Sequence, residues 1–429
     1  MTACESTSDF FHVLRTEIAG QKLSELAEKY QTPLYLYDAD WFRKRLRQLA
    51  DFDVVRYAQK ACSNLSILKL LKAEGAFVDA VSAGEIYRAL EAGFTTEGPN
   101  PQLVYTADIF DHQALELIKK HNIHVNIGSS DMLEQLAEVT PGATVTLRIN
   151  PGFGHGHSQK TNTGGEQSKH GIWHEDLPKT LEVARRHNLT VTGVHMHIGS
   201  GTDMQHLLKV ANALENIALK VGSSVTTIST GGGLPVAYKE DDPQADISTF
   251  YALWDRSRRN LEEAFGHPIQ LETEPGRFLS AEAGSLLTEI RAVKTMGSYR
   301  YLLLDAGFNN LARPVLYGAY HPMAVVPGKD SSTTSVPTVP TVVGGPLCES
   351  GDIFTQKEGG YVYTVDLPDA KVGDYLLIGH AGAYGFSMSS NYNSKPFAAE
   401  VLLDNNGARL IRRRQTLDDL LTFEKSLSI

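Results

Sequence analysis

The sequence predicts a (β/α)8 barrel followed by an all-β domain. β-type and helical runs alternate from Asp53 onward, eight β-type runs are complete by residue 273, and the texture changes after about residue 300. The expected barrel strands are 53–59, 77–82, 103–107, 124–128, 144–150, 190–198, 225–230 and 269–273. Amphipathic stretches such as Leu65–Ala73, Ala83–Ala92, His112–Lys120 and Leu207–Lys220 lie between them. Each places apolar residues at i, i+3 and i+4 with little Pro or Gly inside, as a helix covering a sheet requires.

Beyond residue 300 the β-type runs Tyr301–Leu304, Val339–Val343, Tyr361–Val365, Tyr375–Ile378 and Ala399–Leu403 are separated by Gly, Pro, Asp and Asn. No helical run is expected among them before Leu417–Ser426, and Ser331–Ser335 reads as a polar surface loop. The early run Pro33–Tyr37 fits either a strand of the β-domain or a lead-in to the barrel. The expected division is an N-terminal segment 1–35 joining the β-domain, a barrel over 36–300, and a C-terminal β-domain over 301–429.

Composition narrows the function class. The 429 residues are 42% hydrophobic and 21% charged, with a net charge of −10, which argues against a phosphate-backbone binder. The short run Arg412-Arg413-Arg414 is expected to be a solvated or subunit-contact face. Three cysteines (Cys4, Cys62, Cys348) form no disulfide framework and fit a reducing compartment. Neither a membrane span nor a leader is recognisable, so a cytoplasmic protein without membrane or nucleic-acid partners is expected.

Unusual residues gather at the strand ends, where such barrels carry their chemistry. Lys60 follows the first strand, where loss of hydration would expose a nucleophilic amine. His197, Gly199 and Ser200 follow the sixth, with small residues leaving room for a flat ligand beside an imidazole. Gly231-Gly232-Gly233 follow the seventh and suit either a tight turn or a nest of N–H groups for an anion. Glu274-Pro275-Gly276-Arg277 follow the eighth, with a carboxylate that needs a cationic or donor partner if buried and an arginine suited to phosphate. Lysine, glycine nest, stacking histidine and carboxylate are together the parts needed to hold pyridoxal 5'-phosphate. Gly154-His155-Gly156-His157 lacks the fixed carboxylate or cysteine partners of a metal site, so no metal is expected there and an active-site lid is the stronger reading.

On these motifs the chain resembles the fold-type III pyridoxal-phosphate decarboxylases, whose barrel and β-domain are shared with alanine racemase and ornithine decarboxylase. Within them it resembles the family that decarboxylates meso-2,6-diaminopimelate, in its proteobacterial branch. Further matching segments are Asp305–Asn309, Arg313-Pro314, Tyr317–His321, Gly345–Asp352 and Gly382–Gly385. The resemblance implies conversion of meso-2,6-diaminopimelate at its D-centre to L-lysine and carbon dioxide, the last step of lysine synthesis. It implies that Lys60 carries the cofactor and that His197 stacks on its ring. Ser200, Gly231, Gly232, Gly233, Pro275, Gly276, Arg277 and Tyr384 would line the cofactor, several of them at its phosphate, and Glu274 would meet the pyridine nitrogen. Arg277, Arg313, Tyr317 and Tyr384 would bind substrate, Glu349 its distal ammonium, and Cys348 would donate a proton. The last two would come from the neighbouring subunit of a homodimer. Departures from the family pattern are Gln59, Ala61, Cys62, His170 and a long polar loop from Gly154 to Lys169. The alternatives are another basic amino-acid decarboxylase of this fold, a racemase, or a non-catalytic homologue that binds the cofactor.

Overall fold

Eight parallel strands close on themselves in the computed structural model, which describes residues 7–98, 100–154, 163–197, 199, 204–329, 337–425 and 427. They are Val54–Ala58, Phe77–Ala80, Leu103–Ala107, His124–Ile127, Thr144–Asn150, Thr190–His195, Thr227–Ser229 and Gln270–Thr273. Each pairs with the next, and Glu272 opposite Val54 closes the ring. Strands such as Thr144–Asn150 are buried along almost their whole length, as expected where a barrel interior lies on one face and helices on the other.

The helices begin where local chemistry supplies a cap. Asn64 accepts from Ser66 N ahead of Leu65–Ala73, Ser82 from Glu85 N ahead of Ala83–Glu91, and Asp111 from Ala114 N ahead of His112–His121. Ile247–Phe265 starts on Asp246 and stops at Gly266, whose φ of 75° is the left-handed conformation that closes a helix. After the eighth strand the helix is only one turn, Arg277–Ser280.

The chain divides into two units. One holds Arg43–Pro235 and Gln244–Leu279, the barrel; the other holds the residues up to Phe42, Val236–Pro243 and everything from Ser280. The barrel therefore ends about twenty residues before the expected boundary at 300. The cause is Gly284–Met296, a 13-residue strand that the sequence reading did not pick out. It pairs antiparallel with Tyr299–Leu304, Tyr375–Ile378 and Leu34–Asp38, so it is the spine of the second unit. Leu34–Asp38 also runs parallel to Ala399–Asp404, which makes the early run a β-domain strand.

Within that nine-stranded sheet, Met323–Val326 and Gly407–Arg412 are further strands. The strand expected at Tyr361–Val365 starts only at Val365, because Val362 is occupied in an isolated bridge to Gln356. A one-turn helix, Arg313–Tyr317, interrupts the β-rich region, and the C-terminal helix is limited to Leu417–Leu420. The loop expected at Ser331–Ser335 lies outside the described residues.

Candidate active site

The C-terminal ends of the barrel strands bring one group of the expected residues together. Lys60 sits on a 3-10 turn, Gln59–Ala61, directly after the first strand. The turn is anchored from below: buried Gln59 donates to the carbonyls of Asp79 and Glu85, both at 3.2 Å, and Tyr57 Oη donates to Cys62 O at 3.0 Å. Lys60 itself is exposed at the mouth, which corrects the expectation that the protein walls alone strip its hydration.

The three glycines are required by close approach. Gly231 and Gly233 have φ of 62° and 107°, both left-handed. A Cβ on Gly231 would stand 2.5 Å from His197 Cβ, one on Gly232 2.6 Å from Glu274 O, and one on Gly233 2.4 Å from Gly199 O. Gly276 approaches the first strand, with Ala58 O 3.1 Å from the place of its Cβ. The backbones of strands six, seven and eight thus converge at positions where no side chain fits, so the surface there is backbone.

His197 lies against this surface, with Nδ1 3.1 Å from Gly232 O. Donation to a carbonyl fixes the proton on Nδ1. Burial, and then the charges of Arg148 and Lys60, hold its pKa well below the ordinary histidine value. The ring is therefore neutral at physiological pH, which suits a stacking surface beside a cationic ligand ring.

Glu274 is buried under the same strand ends. His195 Nε2 lies 2.9 Å from one carboxylate oxygen, and Ser229 Oγ donates to the other at 3.2 Å. Burial raises the pKa of Glu274, but the charge of and hydrogen bond from His195, with Arg56 and His197 behind it, bring it down to about 2. Asp79, on the second strand, shows the opposite balance. Burial and the charge of Glu274 push its pKa well above the usual carboxylate range, and its Oδ1 is buried with no hydrogen-bond partner among the described residues. The two carboxyls are thus shifted in opposite directions, Glu274 toward its ionised form and Asp79 toward its neutral one.

Pro275 is buried beside Glu274, and Arg277 opens the short helix after strand eight, half-buried. Ser200 and the His155 and His157 positions lie outside the described residues. At the root of the polar loop, His170 Nδ1 is 2.5 Å from Asp108, which also accepts from Gly171 N at 2.9 Å.

The remaining expected residues belong to the second unit. Arg313 is buried, 3.0 Å from both Tyr238 Oη and His321 Nε2, with its guanidinium 4.9 Å from the centre of the Tyr238 ring. Tyr317 ends the same one-turn helix, half-buried. Tyr384 is held at φ 57°, a left-handed conformation uncommon for a bulky residue. Gly382 and Gly385 on either side pack against Ser280 O and Ala381 O. Cys348 is an exposed thiol whose N–H donates to Asn393 at 2.8 Å, and Glu349 is exposed and accepts from Tyr392 Oη at 3.4 Å.

Sequence reasoning missed His195, Ser229, Asp79 and Gln59. The signal was available in the strand period of two: His195 and His197, and Ser229 and Gly231, share a face.

The family model for the pyridoxal-binding domain of pyridoxal-dependent decarboxylases matches residues 40–281. The diaminopimelate decarboxylase of Escherichia coli K12 is 52% identical over 409 residues, covering 95% of this chain and 97% of that protein. The Streptomyces coelicolor diaminopimelate decarboxylase is 51% identical, covering 94% of this chain and 92% of its own. This chain belongs to the diaminopimelate decarboxylase family. A crystal structure of a diaminopimelate decarboxylase superposes with a TM-score of 0.91 at 52% identity, covering 94% of this chain and 96% of that one. The Helicobacter pylori diaminopimelate decarboxylase complexed with L-lysine gives 0.81 at 31% identity, covering 94% and 99%.

Members of this family are carboxy-lyases that use pyridoxal phosphate, and the residues present fit that cofactor. The glycine positions admit no side chain, a neutral imidazole lies beside them, and an ionised carboxylate is buried beneath. Among the described residues no helix is long and apolar enough to cross a membrane.

Proposed function

We propose that the barrel mouth decarboxylates meso-2,6-diaminopimelate at its D-configured carbon, giving L-lysine and carbon dioxide as a biosynthetic step in the cytoplasm. The observation that supports this most is the buried, ionised Glu274 beneath the glycine surface, in a chain about half identical to diaminopimelate decarboxylases. Pyridoxal phosphate held there supplies an electron sink for the pair left behind when carbon dioxide departs.

The chain's own residues do the rest. Lys60 would hold the cofactor through its side-chain amine. Backbone N–H groups of Gly231–Gly233 and Gly276, the Arg277 guanidinium, Ser200 and the Tyr384 hydroxyl take the phosphate, with Pro275 fixing the backbone beside Glu274. His197 lies neutral against the ring face. Glu274, as a carboxylate, keeps a proton on the ring nitrogen.

Selectivity is assigned to the far end of the substrate. Arg277, Arg313, Tyr317 and Tyr384 bind it, with the arginines on its distal carboxylate, while Glu349 binds the distal ammonium. A substrate anchored at that end presents the bond to its other carboxylate in a fixed orientation. Cys348 then delivers the proton that replaces the lost carboxylate on carbon. We assign Cys348 and Glu349 to the neighbouring copy in a homodimer, so that each site draws on two chains.

Incubation of the purified holoenzyme with meso-2,6-diaminopimelate tests the reading directly. Equimolar lysine and carbon dioxide are expected. Release of carbon dioxide only from lysine, ornithine or arginine would overturn the substrate assignment.

A further inference from the structure

Glu274 and Asp79 are both buried carboxyls of the barrel, and nothing in the chemistry of a carboxyl decides that Glu274, and not Asp79, carries the negative charge. The deciding difference lies in the donors. Glu274 receives one on each oxygen, His195 Nε2 at 2.9 Å and Ser229 Oγ at 3.2 Å. Ser229 Oγ in turn accepts from Gly231 N at 3.2 Å, so its own proton is directed at Glu274. Asp79 has one side-chain donor, Thr106, and its Oδ1 has no partner among the described residues. His195 is 1% exposed and its Nδ1 has no hydrogen-bond partner among the described residues, where its polar contact is the carboxylate. A buried histidine that keeps an unsatisfied nitrogen in order to bond a carboxylate is costly for packing alone.

We infer that His195 is a positioning residue for decarboxylation: with Ser229 it fixes the negative charge on Glu274 rather than on Asp79, and holds that carboxylate in the rotamer that meets the cofactor's ring nitrogen. The inference rests on the proposed role of Glu274 toward that nitrogen. The other charged groups around the pair act more weakly: Arg56 on Glu274, and Lys60 at the mouth and Glu85 on Asp79, with neutral His197 beside Glu274. Loss of the His195 donor leaves Glu274 half-supported in a buried site. A proton then settles on it, and the ring nitrogen loses its partner.

The test uses the holoenzyme reconstituted with pyridoxal phosphate labelled with 15N in the ring. His195→Leu removes the donor at similar bulk, while His195→Gln places an amide N–H where Nε2 stood. In wild type and His195→Gln the ring-nitrogen NMR shift is expected to be that of a protonated nitrogen, and in His195→Leu that of a bare one. Turnover in His195→Leu is expected to fall at least tenfold in kcat with KM within about twofold, and His195→Gln to recover most of it. If His195→Leu does not fold, Ser229→Ala takes its place, with a smaller shift in the same direction. A protonated ring nitrogen and near wild-type kcat in the donor-less variant would overturn the inference, as would equal damage in the Leu and Gln variants. Glu274→Gln is the control. If it too is harmless, the reading of Glu274 fails; if it alone is crippled, only the role of His195 does.

Discussion

Glu272, in the eighth barrel strand, and Glu274, just past its end, stand two residues apart, yet their partners differ in kind. Glu272, toward the N-terminal end, forms a two-point ion pair with buried Arg56, at 2.8 and 3.2 Å. Arg56 spends its remaining donors on the carbonyls of Pro101 and Gln102. At that end a permanent charge meets a permanent charge, beside a cavity of about 540 Å³ that Arg56 and Glu272 line with His124 and Thr146. Glu274, toward the C-terminal end, is held by an imidazole and a hydroxyl under a surface of glycines. The same residue type is thus structural at one end and chemical at the other, because Glu272 is tied to a permanent cation while Glu274 lies under a surface of glycines. This is the general asymmetry of the barrel, with stability at the N-terminal end and reaction at the other.

The sharpest way to break the comparison lies at the reactive end. Lys60→Ala is expected to abolish turnover and the visible absorbance of the bound cofactor, since no other amine is placed to replace it. Near-normal activity in this variant would remove Lys60 from its role.

Next in size is the subunit mixture. Lys60→Ala and Cys348→Ala are each expected to be nearly inactive, while an equal mixture after subunit exchange should regain about a quarter of wild-type sites. About half the dimers are then hybrid, and each hybrid holds one intact site. A mixture as inactive as its parents would place the whole site in one chain.

At the ion-paired end the expected effects are on stability. Arg56→Leu leaves Glu272 buried without its cation and should cost about 3–5 kcal/mol, read as a lower urea midpoint, with kcat of the folded fraction little changed. A collapse of kcat without loss of stability would contradict the division of labour.

The smallest effect is a pH dependence. His124, beside Arg56 and 2.9 Å from Thr146 Oγ1, has its pKa lowered by burial and then by Arg56, from 6.5 to about 4. Between those values the unfolded chain binds the proton and the folded chain does not, so stability falls as pH drops from about 6.5 to about 4. His124→Gln should flatten part of that slope in urea unfolding at pH 7 and pH 5, and an unchanged slope would clear His124.

Much of the reactive end was legible because it uses residues that stand out at strand ends: a lysine, three glycines, a histidine and a Glu-Pro-Gly-Arg run. The supporting residues were not. His195 and Ser229 sit inside β-type runs where their neighbours are Val, Thr and Ile, and only the period of two marks them as facing Glu274. Asp79 lies within Phe-Val-Asp-Ala, where a lone carboxyl says nothing of its distant partner across the barrel. The eight barrel strands were readable because helices punctuate them. Gly284–Met296 was not, since it follows the last barrel strand with only one helical turn between and mixes charged with apolar residues along an exposed end. The true domain edge was hidden with it.

The central claim is that charge at Glu274 drives the chemistry while charge at Glu272 holds the barrel. Measuring kcat on the folded, cofactor-loaded forms of Glu274→Gln and Glu272→Gln compares the two directly. The account predicts a loss of several orders of magnitude for Glu274→Gln and turnover within a few-fold of wild type for Glu272→Gln. A loss below about tenfold in Glu274→Gln, or equal losses in both, would contradict it.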